Sequence, residues 1–498
     1  MRPKILLMTA GPALGIAVLA LGIGGEVQAT DWPRFRGAEL CAASPDRSLD
    51  RWPTNGLGVV WRVPSAASPG GYSSFAVSGG KVFTLRNLLT NGQPKEFCVA
   101  LDAASGTQVW SRLLGREMAY STPTVEAGRV YVYGGELKLF CLDADSGAIL
   151  WQRDLYREFS SMAVPNSQSP CVEAGRVFVS ISAPTNCLLA FNATNGELLW
   201  RGHTNALTYG SPIGATVHGV RQIVFPDRFG LVSVSPDSGQ MLWRHQKGNS
   251  YDQGPSPLLH EDIGVWVPSD GAGGEAFRIL FSNGVFSTVR LWTNATLDGT
   301  FVTLVVHEGY LYGIFGNSLQ CVDLATGQLQ WRTNAVFNGS LILMENRLVC
   351  LTETGRLVLA RASPLGYEQL SSFTAFPPAS SSQCMNSAAA SDGRIYVSNP
   401  REMVCLDAAI PAPLTLGAAR IAQSGALRLT LSSSDGRPIY TNRVPQLGIR
   451  WTSDLRQPLD SWFPLPAALT YTNGVLCCEQ SLPPDGPARF YSAVEEGR

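Results

Sequence analysis

Charge is scarce in this sequence. Only 15% of its 498 residues are charged, well below the roughly 25% usual for soluble domains, and 38 basic against 39 acidic side chains leave a net charge of -1. Such a balance excludes a disordered polyelectrolyte, and it supplies no general field for DNA, RNA or an anionic membrane. No nucleic-acid partner is expected. Histidine is scarcer still: the 5 histidines, His203, His218, His245, His260 and His307, lack a His-Glu-x-x-His or Cys-x-x-Cys partner, so no metal site is expected. A Gly-x-Ser-x-Gly elbow and a phosphate loop ending in Gly-Lys-Ser/Thr are absent too, and no catalytic residue is nominated. Beyond residue 29 no apolar run reaches the roughly 18 residues of a spanning helix.

Cysteine is present but not as a framework. The 11 cysteines are an odd number in a long chain, unlike the dense, even sets of small stapled domains. Cys141, Cys321 and Cys405 each stand two residues before an aspartate of a repeated segment, which marks them as small buried strand residues in equivalent places. The neighbours Cys477 and Cys478 read as strand residues pointing to opposite faces.

What is abundant is glycine, 50 residues, and its positions organise the chain. Arg2 and Lys4, an apolar run from Ile5 to Ile23, and Val27-Gln28-Ala29 have the layout of a secretory signal peptide over 1–29, with a mature start at Thr30. The run is also long enough for an uncleaved anchor. A periplasmic or secreted location follows from a cleaved leader. An N-terminal arm, 30–56, comes next.

From there the chain repeats. A tight turn with glycine precedes a tryptophan by four residues at Gly106 and Trp110, Gly147 and Trp151, Gly196 and Trp200, Gly239 and Trp243, and Gly327 and Trp331. The tryptophans are spaced by 41, 49 and 43 residues, then by 88, two units, before Trp331. A second signal runs out of phase: an apolar strand, a turn ending in glycine, and another apolar strand, at Gly80, Gly128, Gly175, Gly309 and Gly393, with looser versions at Gly219 and Gly264. In the 340s Asn346 replaces the glycine and is expected to take the positive φ there. Eight units of four short strands with this period are the signature of a β-propeller over 57–408. The last unit has only three strands before the Pro-rich linker 409–413, and Val59-Val60-Trp61-Arg62 is expected to complete it and close the ring. In the seventh unit Phe373 is expected in the tryptophan's place.

The segments Leu-Asp102-Ala-x-x-Gly106-x-x-x-Trp110 and Leu-Asp143-Ala-x-x-Gly147-x-x-x-Trp151 resemble the pyrroloquinoline-quinone-like (PQQ-like) propeller repeat, and 57–408 looks like the eight-bladed relatives of the assembly factor BamB. The opening Asp31-Trp32-Pro33-Arg34-Phe35-Arg36-Gly37 resembles the start of secreted propellers of planctomycete and verrucomicrobial bacteria. The fold hosts both quinone dehydrogenases and non-catalytic scaffolds. As the resemblance has it, the dehydrogenases hold PQQ in the channel with Ca²⁺, stack it on a disulfide of adjacent cysteines and use an aspartate as base. Here the one adjacent pair, Cys477-Cys478, lies outside the repeats, and Asp102, Asp143, Asp323 and Asp407 are explained as turn residues. The leading expectation is therefore an exported, monomeric, non-catalytic scaffold without a cofactor that binds a protein or cell-envelope component. The alternative is a PQQ- and Ca²⁺-dependent alcohol or sugar dehydrogenase.

For a ligand, the expected place is the channel mouth, where each unit's first strand begins. The starts read Tyr72-Ser73-Ser74, Tyr120-Ser121-Thr122-Pro123, Gln168-Ser169-Pro170, Tyr209-Gly210-Ser211-Pro212 and Asn386-Ser387, and Tyr72, Tyr120, Gln168 and Tyr209 would form a polar-aromatic rim. The plain alternative is that small residues fit a crowded axis and the tyrosines are wall residues. Residues 414–498 alternate as strands in Leu427-Arg428-Leu429-Thr430-Leu431 and carry Trp451-Thr452-Ser453-Asp454-Leu455, Trp462 and Ala488-Arg489-Phe490-Tyr491. They are similar to a β-sandwich appended to many secreted verrucomicrobial proteins, a binding module or a passive cap.

Overall fold

The computed structural model of the chain describes residues 6–8 and 31–495, apart from 47, 65–70, 117, 162–165, 184, 204–207, 248–253, 270, 300–302, 377–382, 411–413, 421–425, 434–438, 440–446, 455, 466–468, 473–474 and 481–488. Contacts divide it into two units: Ala29–Ala409, and Met1–Gln28 with Ile410–Arg498. Of the expected leader only Leu6–Met8 is described, a short strand paired antiparallel with Arg489–Glu495. No helix among the described residues is long and apolar enough to cross a membrane.

The larger unit is a β-propeller. Four-stranded antiparallel sheets follow one another as blade 1 (76–115), blade 2 (124–154), blade 3 (171–202), blade 4 (213–246), blade 5 (258–294), blade 6 (304–333) and blade 7 (339–374). Blade 8 takes three strands from 389–407 and its outer strand, Gly58–Pro64, from the N-terminal side. The ring is thus closed by the strand expected to close it. In blade 2 the middle strands Arg129–Tyr133 and Lys138–Asp143 are buried on both faces, whereas the outer strand Ile149–Asp154 buries Trp151 and leaves the rest half-buried or exposed. Continuous apolar runs inside and a lone tryptophan outside are what a stack of blades requires.

The turns between first and second strands are two-residue hairpins with both residues left-handed: Ala127 and Gly128 at φ 50° and 73°, Ala174 and Gly175 at 47° and 74°. That is the turn whose twist matches its strands. Two expectations need correction. In the 340s the positive φ falls on Glu345 (φ 53°), one position before Asn346. Gly264 lies within the strand Ile263–Trp266, where the Phe277 ring covers it so closely that a Cβ would stand 2.2 Å from Cζ.

The tryptophans join each blade to the next. Trp110 of blade 1 lies on Gly147 of blade 2 and donates from Nε1 to the Ala144 carbonyl at 3.0 Å. Trp61 repeats this on Gly106 and Ala103, Trp151 on Gly196 and Ala193, and Trp200 on Gly239 and Pro236. Trp292, which the four-residue spacing overlooked, does so on Gly327 and Leu324. A Cβ on any of these five glycines would stand 2.5–2.7 Å from the ring. Across its own sheet each tryptophan faces a small residue: Ala100, Cys141, Ala190, Ser233, Ala276, Cys321 or Cys405. The repeated cysteines are therefore a size requirement, met elsewhere by alanine or serine. Immediately beyond each of these pairs the register shifts by a bulge, which twists the outer edge away from pairing with other chains.

Two joints differ. The outer hairpin of blade 5, Gly274–Ser282 with Val285–Asn294, is long and has no glycine turn for Trp243. Trp243 donates instead to Gln222 Oε1 of its own blade at 2.7 Å, and the seam is tied by His245, whose Nε2 meets Glu275 Oε1 at 2.5 Å and whose Nδ1 meets Thr288 Oγ1 at 3.1 Å. In blade 7 the bulge places Ser371, not Phe373, at the tryptophan register. Trp52 from the arm docks there: its main-chain N–H donates to Ser371 Oγ at 2.9 Å, its ring is buried, and it meets Phe373 edge-on at 5.5 Å.

The smaller unit packs two four-stranded sheets face to face as a β-sandwich. Leu427, Leu429 and Cys478 from one sheet meet Ile449 and Tyr491 from the other. Trp462 is buried and donates to the Gln457 carbonyl at 3.1 Å. The linker residues 411–413, Leu455 and Ala488 lie outside the described residues.

Two glycine variants separate backbone cost from interlock cost. Gly128→Ala, with open space around its φ of +73°, should cost about 1–2 kcal/mol from the left-handed backbone alone. Gly147→Ala adds a collision with Trp110 2.6 Å away, worth about 1–3 kcal/mol more, so its thermal midpoint should fall clearly below that of Gly128→Ala. Equal midpoints would show that the contact does not hold the blades.

Candidate functional site: the ring axis and its rim

A hydroxyl residue stands two residues ahead of the inner strand in each of blades 1 to 5. The hydroxyls are linked blade to blade: Ser74 N–H donates to Thr122 Oγ1 (3.1 Å), Thr122 N–H to Ser169 Oγ (2.9 Å), Ser169 N–H to Ser211 Oγ (2.9 Å) and Ser211 N–H to Ser256 Oγ (3.0 Å). Ser74 Oγ donates to the Ser387 carbonyl, and Thr303, ahead of blade 6, reaches Ser387, ahead of blade 8, at 3.2 Å. Side chains therefore meet past blade 7, and the axis at this level is narrow. Small hydroxyl residues suit such a place because they fit close backbones and satisfy N–H groups that face no strand partner.

Beyond these hydroxyls the arm crosses the ring. Trp32 exchanges two main-chain bonds with Val77 of blade 1, at 2.9 and 2.7 Å, and the Pro33 carbonyl accepts from Val125 of blade 2 at 2.7 Å. Arg34 donates to the Val172 carbonyl at 2.9 Å and pairs with Glu126 (3.5 Å) and Glu173 (3.6 Å). Arg36 is buried and donates to the carbonyls of Pro257 (2.7 Å), Ser256 (3.4 Å) and Leu304 (3.1 Å) in and beside blades 5 and 6. Ala43–Ser44 then pairs in parallel with Gly339–Met344 of blade 7, and Asp46 accepts from the Gly393 N–H of blade 8 at 3.0 Å. Short residues and arginines thus let one segment touch seven blades. The motif read only as a resemblance is a strap across one end of the axis.

At the other end stand the expected rim residues. Tyr72 and Tyr120 are half-buried and stacked, with ring centroids 5.6 Å apart and planes at 24°. Tyr120 Oη lies 3.2 Å from Met118 Sδ. Tyr209 is half-buried, and its carbonyl accepts from Ser167 Oγ at 3.0 Å. Gln168 takes no place on the rim: it is fully buried, its amide donating to Ser180 Oγ (2.6 Å) and the Thr208 carbonyl (3.0 Å) and accepting from Ser180 N–H (3.1 Å). A glutamine so satisfied is a brace between blades 3 and 4.

The chemistry a quinone would need does not assemble here. Cys477 and Cys478 are free thiols in the sandwich unit. Asp102 accepts from Ser105 N–H (2.8 Å) and Oγ (2.7 Å), bonds that hold its carboxyl below the usual range, and Asp143 does the same with Ser146. Asp323 accepts from Thr326 N–H and Oγ1, both at 2.8 Å. Among the described residues no three His, Cys, Asp or Glu side chains converge as metal ligands would. Between arm and hydroxyls the free space is about 10 Å³, room for one small particle and not for a ring system. The described residues between the arm and the hydroxyls do not fit PQQ with Ca²⁺.

Comparison with known proteins agrees on the fold. Residues 94–333 match the family described as outer membrane protein assembly factor BamB. The chain is 24% identical over 270 residues to that assembly factor from Moranella endobia, covering 51% of this chain and 68% of the relative. The crystal structure of BamB from Moraxella catarrhalis superposes with a TM-score of 0.52 at 11% identity, over 70% of this chain and 99% of that one. Quinohemoprotein alcohol dehydrogenase from Comamonas testosteroni superposes with a TM-score of 0.58 at 12% identity, over 79% and 84%.

All eleven cysteines carry free thiols, and only Cys41 and Cys477 are not buried. Burial pushes the thiols of Cys171, Cys350, Cys384 and Cys405 up to about 12 and that of Cys321 up to about 11. Because the thiolate is the reactive form, a thiol reagent at pH 8 should label at most two cysteines in the native protein and all eleven after unfolding. Rapid native labelling of more than two would contradict this packing.

Proposed function

We propose that this BamB-like, PQQ-like propeller is a non-catalytic scaffold, exported by its leader, that holds another protein or a cell-envelope component on the rim of the ring. The observation that carries the reading is the axis: the protein's own residues 32–46 cross one end of it, and a belt of hydroxyls bonded blade to blade narrows it beside them. With the repeat aspartates committed to their turns, chemistry has no acid, base or metal set to use at that place. What remains accessible is surface. The family match supports protein binding, and the stacked Tyr72 and Tyr120 with Tyr209 offer the apolar faces and hydroxyls that anchor protein contacts.

Adding PQQ and Ca²⁺ to the purified protein should give no bound chromophore and no dye reduction with a panel of alcohols and sugars; turnover would overturn the proposal. On the binding side, Tyr120→Ala with Tyr209→Ala should weaken the complex with an envelope partner at least tenfold, since loss of two aromatic anchors removes about 2 kcal/mol or more. Unchanged affinity would move the binding face away from the rim.

A further inference from the structure

Arg36 is an unusual arginine. It is 3% exposed, and among the described residues it meets three carbonyls but no carboxylate and its Nε–H has no partner. The titratable neighbour acting on it is the Cys41 thiol, and burial lowers its guanidinium to about 10, so it stays charged at neutral pH. Close by, Arg34 also has an unpartnered Nε–H. The carboxylates beside the arm, Glu126 and Glu173, are shared by Arg34 and by Arg221, which meets Glu173 at 2.6 Å. Those two carboxylates are taken by Arg34 and Arg221, and among the described residues none stands beside Arg36 to balance its charge.

Arg34 and Arg36 line the same cavity of about 10 Å³, together with Ser169, Ser211 and Ser256. The oxygen of each serine accepts the blade-to-blade N–H described above, so each hydroxyl keeps its own proton to donate. The neighbouring carbonyls of Pro170, Val172, Pro257 and Leu304 already accept from Thr124, Arg34 and Arg36. A water here would meet hydroxyl and guanidinium donors, with only the second lone pairs of those carbonyls left for its own two protons. An acceptor with no protons and a negative charge suits both the donors and the unbalanced cation.

We propose that this cavity is a built binding site for one monatomic halide, chloride in the cell, held by Arg36 Nε–H and the hydroxyls of Ser169, Ser211 and Ser256. The volume is that of about one small sphere, which excludes sulfate, phosphate and any carboxylic acid. The ion locks the arm to blades 3, 4 and 5, so its role is to hold the strap in place. The site is separate from the rim and stands whether or not the rim binds a partner.

The test uses bromide as an anomalously scattering stand-in. Crystals of the protein grown with sodium bromide should show one bromide beside Arg36 Nε and Ser211 Oγ, and the thermal midpoint should be higher in sodium bromide or chloride than in sodium gluconate of equal ionic strength. Ser211→Ala with Ser256→Ala, which keeps the arm's carbonyl contacts, should fold and lose most of that difference. A water or no peak at the site would overturn the proposal. So would a bromide peak without any halide-dependent midpoint, which marks an adventitious ion only.

Discussion

The structure depends on one contact made again and again, an indole laid on a glycine of the next blade. The ring face needs a flat approach that any Cβ would block, as at Gly147 beneath Trp110, and the indole N–H needs an acceptor, which the carbonyl three residues earlier supplies. Replacing a buried tryptophan in such a core by alanine costs about 3–5 kcal/mol, so five copies account for a large share of what keeps wedge-shaped blades together. The same contact explains features with no obvious link to it. It demands a small residue across the sheet, which is why Cys141, Cys321 and Cys405 recur, and it leaves thiols that are buried and unreactive.

A ring held from its periphery still has to be closed and its axis filled, and the N-terminal segment does both. Gly58–Pro64 completes blade 8, Trp52 supplies the indole that blade 7 lacks, and 32–46 crosses the end of the axis. The segment that closes the ring thus also covers one end of its axis. Blade 5 fits the same logic: where the glycine turn is replaced by a long hairpin, the seam is tied by His245, Glu275 and Thr288 instead.

Much of this was legible beforehand because repetition writes local rules many times. The period, the hairpin glycines, the closing strand and the ordinary character of Cys477 and Cys478 all follow from spacing and alternation. What escaped depends on contacts between distant segments. Trp292 was overlooked because its hairpin is extended, leaving Gly284 eight residues away rather than four. Ser371 and Trp52 share one job across more than 300 residues of chain, which no local pattern reveals. Gln168 stands at a strand start like Tyr72, Tyr120 and Tyr209, yet its amide is spent on Ser180 and Thr208. Burial of Arg36 had no signal at all beyond the motif that contains it.

The central claim is that the arm is part of the ring's interior rather than a tail beside it. Amide hydrogen exchange measured residue by residue tests this most directly. The N–H groups of Trp32, Ala42, Val77, Val125 and Leu343, all bonded within or against the arm, should be protected as strongly as those of the blade strands. Exchange of Trp32 and Ala42 at the rate of an open loop, with the blades still protected, would show that the axis is open and would contradict the account.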